Sequence, residues 1–167
     1  MKILLIAVAI LLALMVVAVL AFVVTGRERS WERIAGLPDR GRLDFSNLKR
    51  SPTSNDAFAC TDELHDACDF ALPSYAGPTQ KLVESLAARI EAVDPLARRV
   101  DDGTAPEHLR YVTYSPTMRF PDLINIEIVP LQDDRQGILA YARAQLGRDD
   151  SGANQRRLED IFKDFQQ

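Results

Sequence analysis

The sequence predicts an α+β protein: an amino-terminal transmembrane helix, then a small antiparallel four-stranded sheet flanked by two helices. Three observations lead to this prediction. A long apolar run occupies the start of the chain, two amphipathic helical patterns lie at residues 78–93 and 154–165, and four strand-like stretches lie between those patterns. The order of one helix, four strands and one helix favours an antiparallel sheet with both helices on one face.

The apolar run extends from Ile3 to Val24, 22 consecutive residues without a charge, a proline or a glycine. A helix of this length is about 33 Å long, which matches the roughly 30 Å hydrocarbon core of a bilayer. The alternative is a cleaved signal peptide, which has a shorter apolar core of about 7–15 residues. The passable cleavage site, at residues 19–21, lies inside the run, so we expect an uncleaved anchor over residues 1–26.

Residues 27–56 are expected to form a juxtamembrane segment and linker, with the α+β domain at residues 57–167. Residues 25–35 continue the helix beyond the membrane face, and Trp31 is expected at the membrane interface, where amphipathic rings lie at headgroup level. The alternative is that residues 25–35 are only a polar stop-transfer flank, which halts translocation of the chain through the membrane. From residue 36 onward Pro, Gly, Ser and Asn interrupt any apolar period, which indicates an extended or loosely packed spacer.

Cys60 and Cys68 are the two cysteines of the chain, and they lie in a loop-like stretch. An even count at close spacing favours a disulfide in an exported protein. Two alternatives remain: free thiols, and a zinc site that includes His65. The spacing C-x4-H-x2-C matches no standard zinc finger and lacks an evident fourth ligand, so we expect a disulfide and no metal.

The soluble elements follow in order. A helix begins with Pro78 at its first position and is closed by Asp94-Pro95. Strand-like stretches occupy residues 96–101, 108–115, 122–131 and 137–146. The third stretch alternates most clearly, and its isoleucine side (Ile124, Ile126 and Ile128) is expected to face the core. The last helix carries Leu158, Ile161, Phe162 and Phe165 on one face.

The net charge argues against a nucleic-acid partner, while the charges beside the span and the cysteines disagree on which side of the membrane the domain lies. Outside the anchor, 19 Lys and Arg stand against 24 Asp and Glu, a net charge of −5, whereas nucleic-acid binding needs a basic stripe. Arg27, Arg29 and Arg33 directly after the span favour a cytoplasmic domain by the positive-inside rule. The cysteine pair favours the periplasmic side. We expect a single-pass inner-membrane protein with its soluble domain in the periplasm, and no nucleic-acid partner.

Three motifs resemble a known family from about residue 50 to the end. They are Asn55-Asp56 before the cysteine loop, MRFPD at 118–122, and G-x-x-D-x-G-x-N-x-x-R at 147–157. The chain is similar to the family called domain of unknown function 1499, whose members are bacterial envelope proteins and plastid proteins. The resemblance implies an envelope location and carries over no catalytic residue. Members have an S-x-S-R segment where this chain reads Ala-Arg-Ala-Gln at 142–145, which favours a structural or partner-binding role.

The last motif supplies most of the candidate binding residues, which are Arg119, Asp122, Asp150, Asn154 and Arg157. Arg157 lies three residues after Asn154, so both project from one side of a first helical turn. Together with Asp150 they are able to bind a polar or anionic group near a helix N-terminus. The alternative is a turn and cap in which Arg157 pairs with Asp150 or Asp122. Arg119 is either a ligand-binding cation or part of an internal salt bridge.

No catalytic, nucleotide-binding or zinc-protease signature occurs in the sequence. We therefore expect no catalytic residue and no cofactor. The favoured function is a non-enzymatic interaction domain that binds another membrane or periplasmic protein, as an accessory subunit of an inner-membrane complex. A binding module for a lipid or small amphiphile, held between sheet and helices, is one alternative. A hydrolase that uses Asp150, Arg157 and His108 is another, and it requires these side chains to converge in a cleft.

Overall fold

A computed structural model describes residues 1–165, and within them the chain forms four α-helices and seven strands. The helices are α1 (Lys2–Thr25), α2 (Arg27–Ala35), α3 (Thr79–Val93) and α4 (Ala153–Phe162). The strands are β1 (Asp56–Thr61), β2 (Phe70–Leu72), β3 (Tyr75–Ala76), β4 (Arg98–Arg99), β5 (His108–Tyr114), β6 (Pro121–Pro130) and β7 (Arg135–Ala144). The α+β class with an amino-terminal apolar helix is confirmed.

The prediction of a small antiparallel four-stranded sheet is wrong. Within the described residues the strands form one seven-stranded sheet in the order β2-β1-β7-β6-β5-β4, and β3 pairs with β7. β1 and β2 run parallel, so the sheet is mixed. The additional strands β1 to β3 lie in the stretch expected to be a loop. β2 and β3 have only three and two residues, too few to show an alternating pattern.

One face of the sheet packs against α3 and α4, as expected. Ile124, Ile126 and Ile128 on β6 are at most 1 % exposed and point toward these helices. Each helix contributes one apolar face to the same cluster, namely Leu82, Leu86 and Ile90 from α3 and Leu158 and Ile161 from α4. This dense packing supports a filled core between sheet and helices. It gives no support to an amphiphile held there.

The opposite face is covered by residues 37–55, which we call the covering segment. Phe45 is 4 % exposed and stacks on Phe58 of β1 with ring centroids 5.9 Å apart. Asp39 accepts a 2.8 Å hydrogen bond from Arg110 of β5. The stretch expected to be an extended or loosely packed spacer is therefore packed along the sheet. Its few apolar side chains have no regular period, so the pattern gave no signal for this packing.

Directly after the covering segment, Asp56 accepts hydrogen bonds from three residues. The donors are Arg50 (2.8 Å), the backbone N–H of Ser51 (2.7 Å) and the hydroxyl of Tyr141 (2.7 Å). Burial alone raises the pKa of Asp56, but these hydrogen bonds outweigh it and lower the pKa below the usual value. The folded state therefore favours the ionised carboxylate. Its stabilisation is present above the unfolded pKa of 3.8 and is lost as the pH falls through the folded pKa.

Replacing Tyr141 with phenylalanine is expected to lower the free energy of unfolding by about 1.5 kcal/mol near neutral pH, because one hydrogen bond to a charged group is lost. Urea unfolding measures the change, and the difference from wild type is expected to shrink as Asp56 becomes protonated in acid. Tyr75→Phe is the matched control, since the buried Tyr75 hydroxyl has no hydrogen-bond partner among the described residues. Equal losses in both variants would contradict the role assigned to Asp56.

The apolar helix α1 lies outside the packed part of the chain, residues 37–165, which we call the head. It has 24 residues, its most apolar stretch of 18 residues has a mean hydropathy of 3.5, and none of its residues is buried. Among residues 1–165 it is the one helix long and apolar enough to cross a membrane, a test that a signal sequence also passes. The helix does not continue straight into residues 27–35 as expected, because Gly26 adopts φ +92° and separates α1 from α2.

Candidate functional site

Arg157 on α4 lies between two aspartates that come from different elements. Its Nη1 is 3.0 Å from Asp122 Oδ2 at the start of β6, and its Nε is 3.2 Å from Asp94 Oδ2 after α3. The side chains of Arg157, Asp122 and Asp94 are 13 %, 10 % and 15 % exposed. This ion triad therefore joins both helices to the sheet inside the domain.

Asn154 links the arginine to the turn before α4. Its Oδ1 accepts from Arg157 Nη1 at 2.7 Å, and its Nδ2 donates to Asp150 Oδ2 at 2.7 Å. Asp150 also accepts from the backbone N–H groups of Gly152 (2.9 Å) and Asn154 (3.0 Å). The Asp150 carboxylate thus satisfies N–H groups that have no partner at a helix start. Gly152 has φ +74°, a left-handed conformation that glycine adopts without strain.

Asn55, just before β1, belongs to the same network. Its side chain donates to the carbonyl of Gly147 at 2.8 Å, and its own carbonyl accepts from Ala144 N at 2.9 Å. The Asn154 amide lies 3.4 Å from the same Asn55 carbonyl. The beginning and the end of the soluble domain are therefore tied together. We refer to Asn55, Asp94, Asp122, Asp150, Asn154 and Arg157 as the polar network.

One aspartate of this network, Asp94, is not among the binding residues that the sequence predicts. Asp94 was interpreted only as the end of α3, yet its carboxylate contacts Arg157 and accepts from the hydroxyl of Thr113 on β5. An aspartate followed by proline predicts where a helix stops and says nothing about which distant side chain it meets. The buried Thr113 on an otherwise apolar strand face was the one available signal for a polar partner.

The network carries more negative than positive charge. Burial raises the pKa of Asp122, and the neighbouring Asp150 and Asp94 add to the increase, while Arg157 opposes it without cancelling it. The Nε and Nη1 donors of Arg157 point at protein oxygens. These contacts support the turn-and-cap interpretation, in which Arg157 pairs with Asp122.

Arg119 does not join the other four candidate residues. It lies in the β5–β6 loop (residues 115–120) with φ +60°, and it lines a concavity of about 510 Å³ together with Arg27 and Arg29. Among residues 1–165 it forms no ion pair. The structure therefore places Asp122, Asp150, Asn154 and Arg157 in one buried network and Arg119 at the junction with α1.

Trp31 connects that junction to the head. The indole N–H donates to the carbonyl of Met118 at 2.7 Å, and the ring lies 4.8 Å from the ring of Phe120. Its other neighbour is Phe22 in the last turns of α1, with ring centroids 5.3 Å apart. The β5–β6 loop is thus held beside the end of the apolar helix.

His108 lies far from the polar network. In the β5–β6 register His108 faces Glu127 whereas Thr113 faces Asp122, so five residues, or roughly 17 Å, separate it from the network. An odd separation along a strand also places the two side chains on opposite faces. Burial lowers the pKa of His108, which keeps the imidazole neutral at pH 7. Asp150, Arg157 and His108 do not converge in a cleft, so the arrangement required for the hydrolase alternative is not formed.

The disulfide between Cys60 and Cys68 is confirmed, with Cα atoms 5.9 Å apart. It joins β1 to the turn that leads into the parallel strand β2. Because both sulfur atoms are committed to this bond, the C-x4-H-x2-C pattern does not act as a zinc ligand set.

The family relationship is decided by the length of chain that matches a family model. Residues 47–165 match the family described as Protein of unknown function (DUF1499). The chain belongs to this family. No curated protein and no solved structure matches the chain. The matched DUF1499 region contains the whole sheet, α3, α4 and the polar network, whereas α1 and α2 precede it.

Residues 143–145, at the end of β7, border an open concavity of about 330 Å³. Its lining includes Arg40, Arg143 and Gln145. Arg40 donates to Gln145 Oε1 at 3.1 Å, while Gln145 Nε2 has no hydrogen-bond partner in the part of the chain described. No ion pair within residues 1–165 involves Arg40 or Arg143. The concavity thus gathers nitrogen donors and contains no carboxylate.

Proposed function

We propose that this DUF1499 member is a single-pass inner-membrane protein whose head is a non-enzymatic interaction domain in the periplasm, an accessory subunit of an inner-membrane complex. The observation that carries this proposal is the apolar helix α1, in which none of the 24 residues is buried. Such an apolar surface is not stable in water and fits the thickness of a bilayer. The disulfide supports an oxidising compartment.

The partner-binding surface in this proposal is the concavity beside Arg40 and Arg143. Arg143 is exposed on β7, and neither Arg143 nor Arg40 pairs with a carboxylate among residues 1–165. Guanidinium groups bind carboxylates through paired hydrogen bonds. The chemistry therefore fits an acidic side chain of a partner protein. The polar network supports this role indirectly, since it fixes the end of β7 through Asn55 and Ala144.

Membrane retention and topology are tested on the full chain. Alkaline extraction is expected to leave the protein in the membrane fraction. A membrane-impermeant thiol reagent applied to reduced spheroplasts is expected to label Cys68, which is partly exposed, whereas Cys60 is buried. A soluble mature protein that starts after Gly26 would overturn the proposal, and so would cysteines that are reduced in cells and labelled only after lysis.

Replacing Arg143 with glutamate is expected to lower the recovery of the partner about tenfold in mild detergent, since charge reversal opposes an acidic ligand by about 1.4 kcal/mol or more. Co-purification of the tagged full chain with quantitative mass spectrometry measures this recovery. Arg148→Glu is the matched control, because Arg148 is also exposed but does not line the concavity. Equal recovery with both variants would exclude the Arg143 surface, and a strictly monomeric particle without a partner would exclude the interaction role.

A further inference from the structure

We propose that the junction between α1 and the head is a phospholipid-binding site. In it the guanidinium groups of Arg27, Arg29 and Arg119 bind the phosphate of an anionic phospholipid, and Met118 and Phe120 enter the acyl boundary. This inference rests on the proposed function in one respect, since it requires α1 to remain in the membrane.

The location of the junction places it at headgroup depth. A concavity of about 510 Å³ lies where α1 ends, and its walls come from both the helix end and the β5–β6 loop. The residues that line it are Val23, Thr25, Gly26, Arg27, Glu28, Arg29 and Arg119. Because a spanning helix leaves the hydrocarbon at its polar end, this concavity opens into the layer that contains lipid phosphates.

The charge at the junction is complementary to a phosphate. Three arginines and one carboxylate, Glu28, line the concavity. Within residues 1–165 no ion pair involves Arg27, Arg29 or Arg119, although the head pairs most of its other arginines on the sheet with acids. Arg27 also donates to the carbonyl of Thr117 on the β5–β6 loop. Guanidinium groups that lack a carboxylate partner and share an opening are suited to phosphate, which they bind through two parallel hydrogen bonds.

Apolar side chains accompany these charges. Met118 is 45 % exposed and Phe120 is 38 % exposed, both on the β5–β6 loop. The loop is held in place, because Trp31 donates to the Met118 carbonyl and Ser115 Oγ accepts from Phe120 N at 3.0 Å. A fixed loop with apolar tips beside a membrane span buries those tips in the interface at little entropic cost.

The net charge of the head makes this contact specific. With −5 outside the anchor, the domain as a whole is repelled by anionic lipid, so diffuse adsorption does not explain an attraction at this position. The junction concentrates positive charge next to the membrane on an otherwise acidic domain. Binding is therefore expected at one local site with a defined lipid stoichiometry.

The test uses the full chain in nanodiscs of phosphatidylcholine with or without phosphatidylglycerol. Native mass spectrometry after release from the disc is expected to show phosphatidylglycerol enriched over its bulk fraction. Arg119→Gln is expected to reduce this enrichment about fivefold, the change expected for one basic residue at a lipid surface. Arg27→Gln is a second variant with the same expectation. Arg143→Gln is the control, because Arg143 does not line this concavity.

Trp31 supplies an independent readout, because it is the one tryptophan of the chain. Brominated lipids are expected to quench its fluorescence in wild type, and Phe120→Ser is expected to weaken the quenching. Retained lipids in the bulk ratio, or an Arg119 variant that behaves like wild type, would overturn the lipid site while the anchored chain remains in the disc. Binding of inorganic phosphate without phosphatidylglycerol enrichment would overturn it as well. Loss of the chain from the disc would instead refute the proposed function.

Discussion

Replacing Arg157 with methionine is expected to destabilise the head by about 3–5 kcal/mol, because it leaves a buried carboxylate without its counter-charge. Asp122, with a side chain 10 % exposed, loses the cation at 3.0 Å, and Asn154 loses the donor to its Oδ1. Urea unfolding of the full chain in mild detergent measures the loss. Arg156→Met is the matched control on the same helix, since Arg156 is exposed and, within residues 1–165, its side chain donates only to the Ser151 carbonyl. Its cost is expected to stay within about 0.5 kcal/mol.

The pH dependence of this variant identifies the cause of its instability. The pKa of Asp122 is raised above 3.8 in the folded wild type, so protonation of Asp122 stabilises the folded state. This stabilisation is fully present below the unfolded pKa and is lost as the pH rises through the folded pKa. Without Arg157 the folded pKa rises further. The penalty is therefore largest at neutral pH and decreases as the pH falls and Asp122 becomes protonated. Asp122→Asn in the Arg157→Met background is expected to recover part of the loss, whereas a penalty unchanged by pH and by this second substitution would contradict the buried-charge explanation.

Removing the disulfide by Cys60→Ala and Cys68→Ala is expected to cost about 2–3 kcal/mol of unfolding free energy. The cysteines are eight residues apart, so the bond closes a short loop. It lowers the conformational entropy of the unfolded chain, by less than a bond that closes a longer loop. β1 and β2 pair in parallel and are connected along the chain by residues 62–69. Without the disulfide, this connection is held less firmly. Urea unfolding with and without reductant measures the effect.

Reductant provides the control for this second expectation. It should lower the unfolding midpoint of wild type and leave the double-alanine variant unchanged. Thiol labelling of wild type verifies that the bond has been reduced under those conditions. A reduced wild type that is as stable as the oxidised protein would show that the crosslink does not stabilise the head.

The fold could be predicted from the sequence where side-chain periodicity is strong. On β6 the three isoleucines alternate with half-buried residues, and this pattern correctly identified the side that faces the helices. On β1 both faces are buried, since Ala57 and Ala59 face the helices while Phe58 and Cys60 face the covering segment. A strand buried on both sides shows no alternation of apolar and polar residues. The sequence therefore predicts a loop where the structure has β1.

In the polar network, too, contacts between residues close in sequence could be predicted, whereas contacts between residues far apart in sequence could not. The spacing of Asn154 and Arg157 on one helical turn correctly indicated that their side chains meet. The contacts to Asp94 and Asn55 span 63 and 99 residues of sequence, and no local pattern reports such pairings. Arg119 and Asp122 are neighbours in sequence but lie in different environments. β6 begins between them, and it directs Asp122 toward α4 while the left-handed Arg119 remains in the loop.

The position of β1 in the sheet has a consequence for how the protein is made. β1 pairs with β7, and Asp56 lies opposite Arg143. At translation rates of about 5–20 residues per second, β7 leaves the ribosome roughly 4–17 s after β1. During that interval Ala57–Cys60 is an apolar strand without its main partner, the kind of segment that associates wrongly with other chains. We therefore expect correct folding of the head to require that this strand is shielded until β7 has been synthesised.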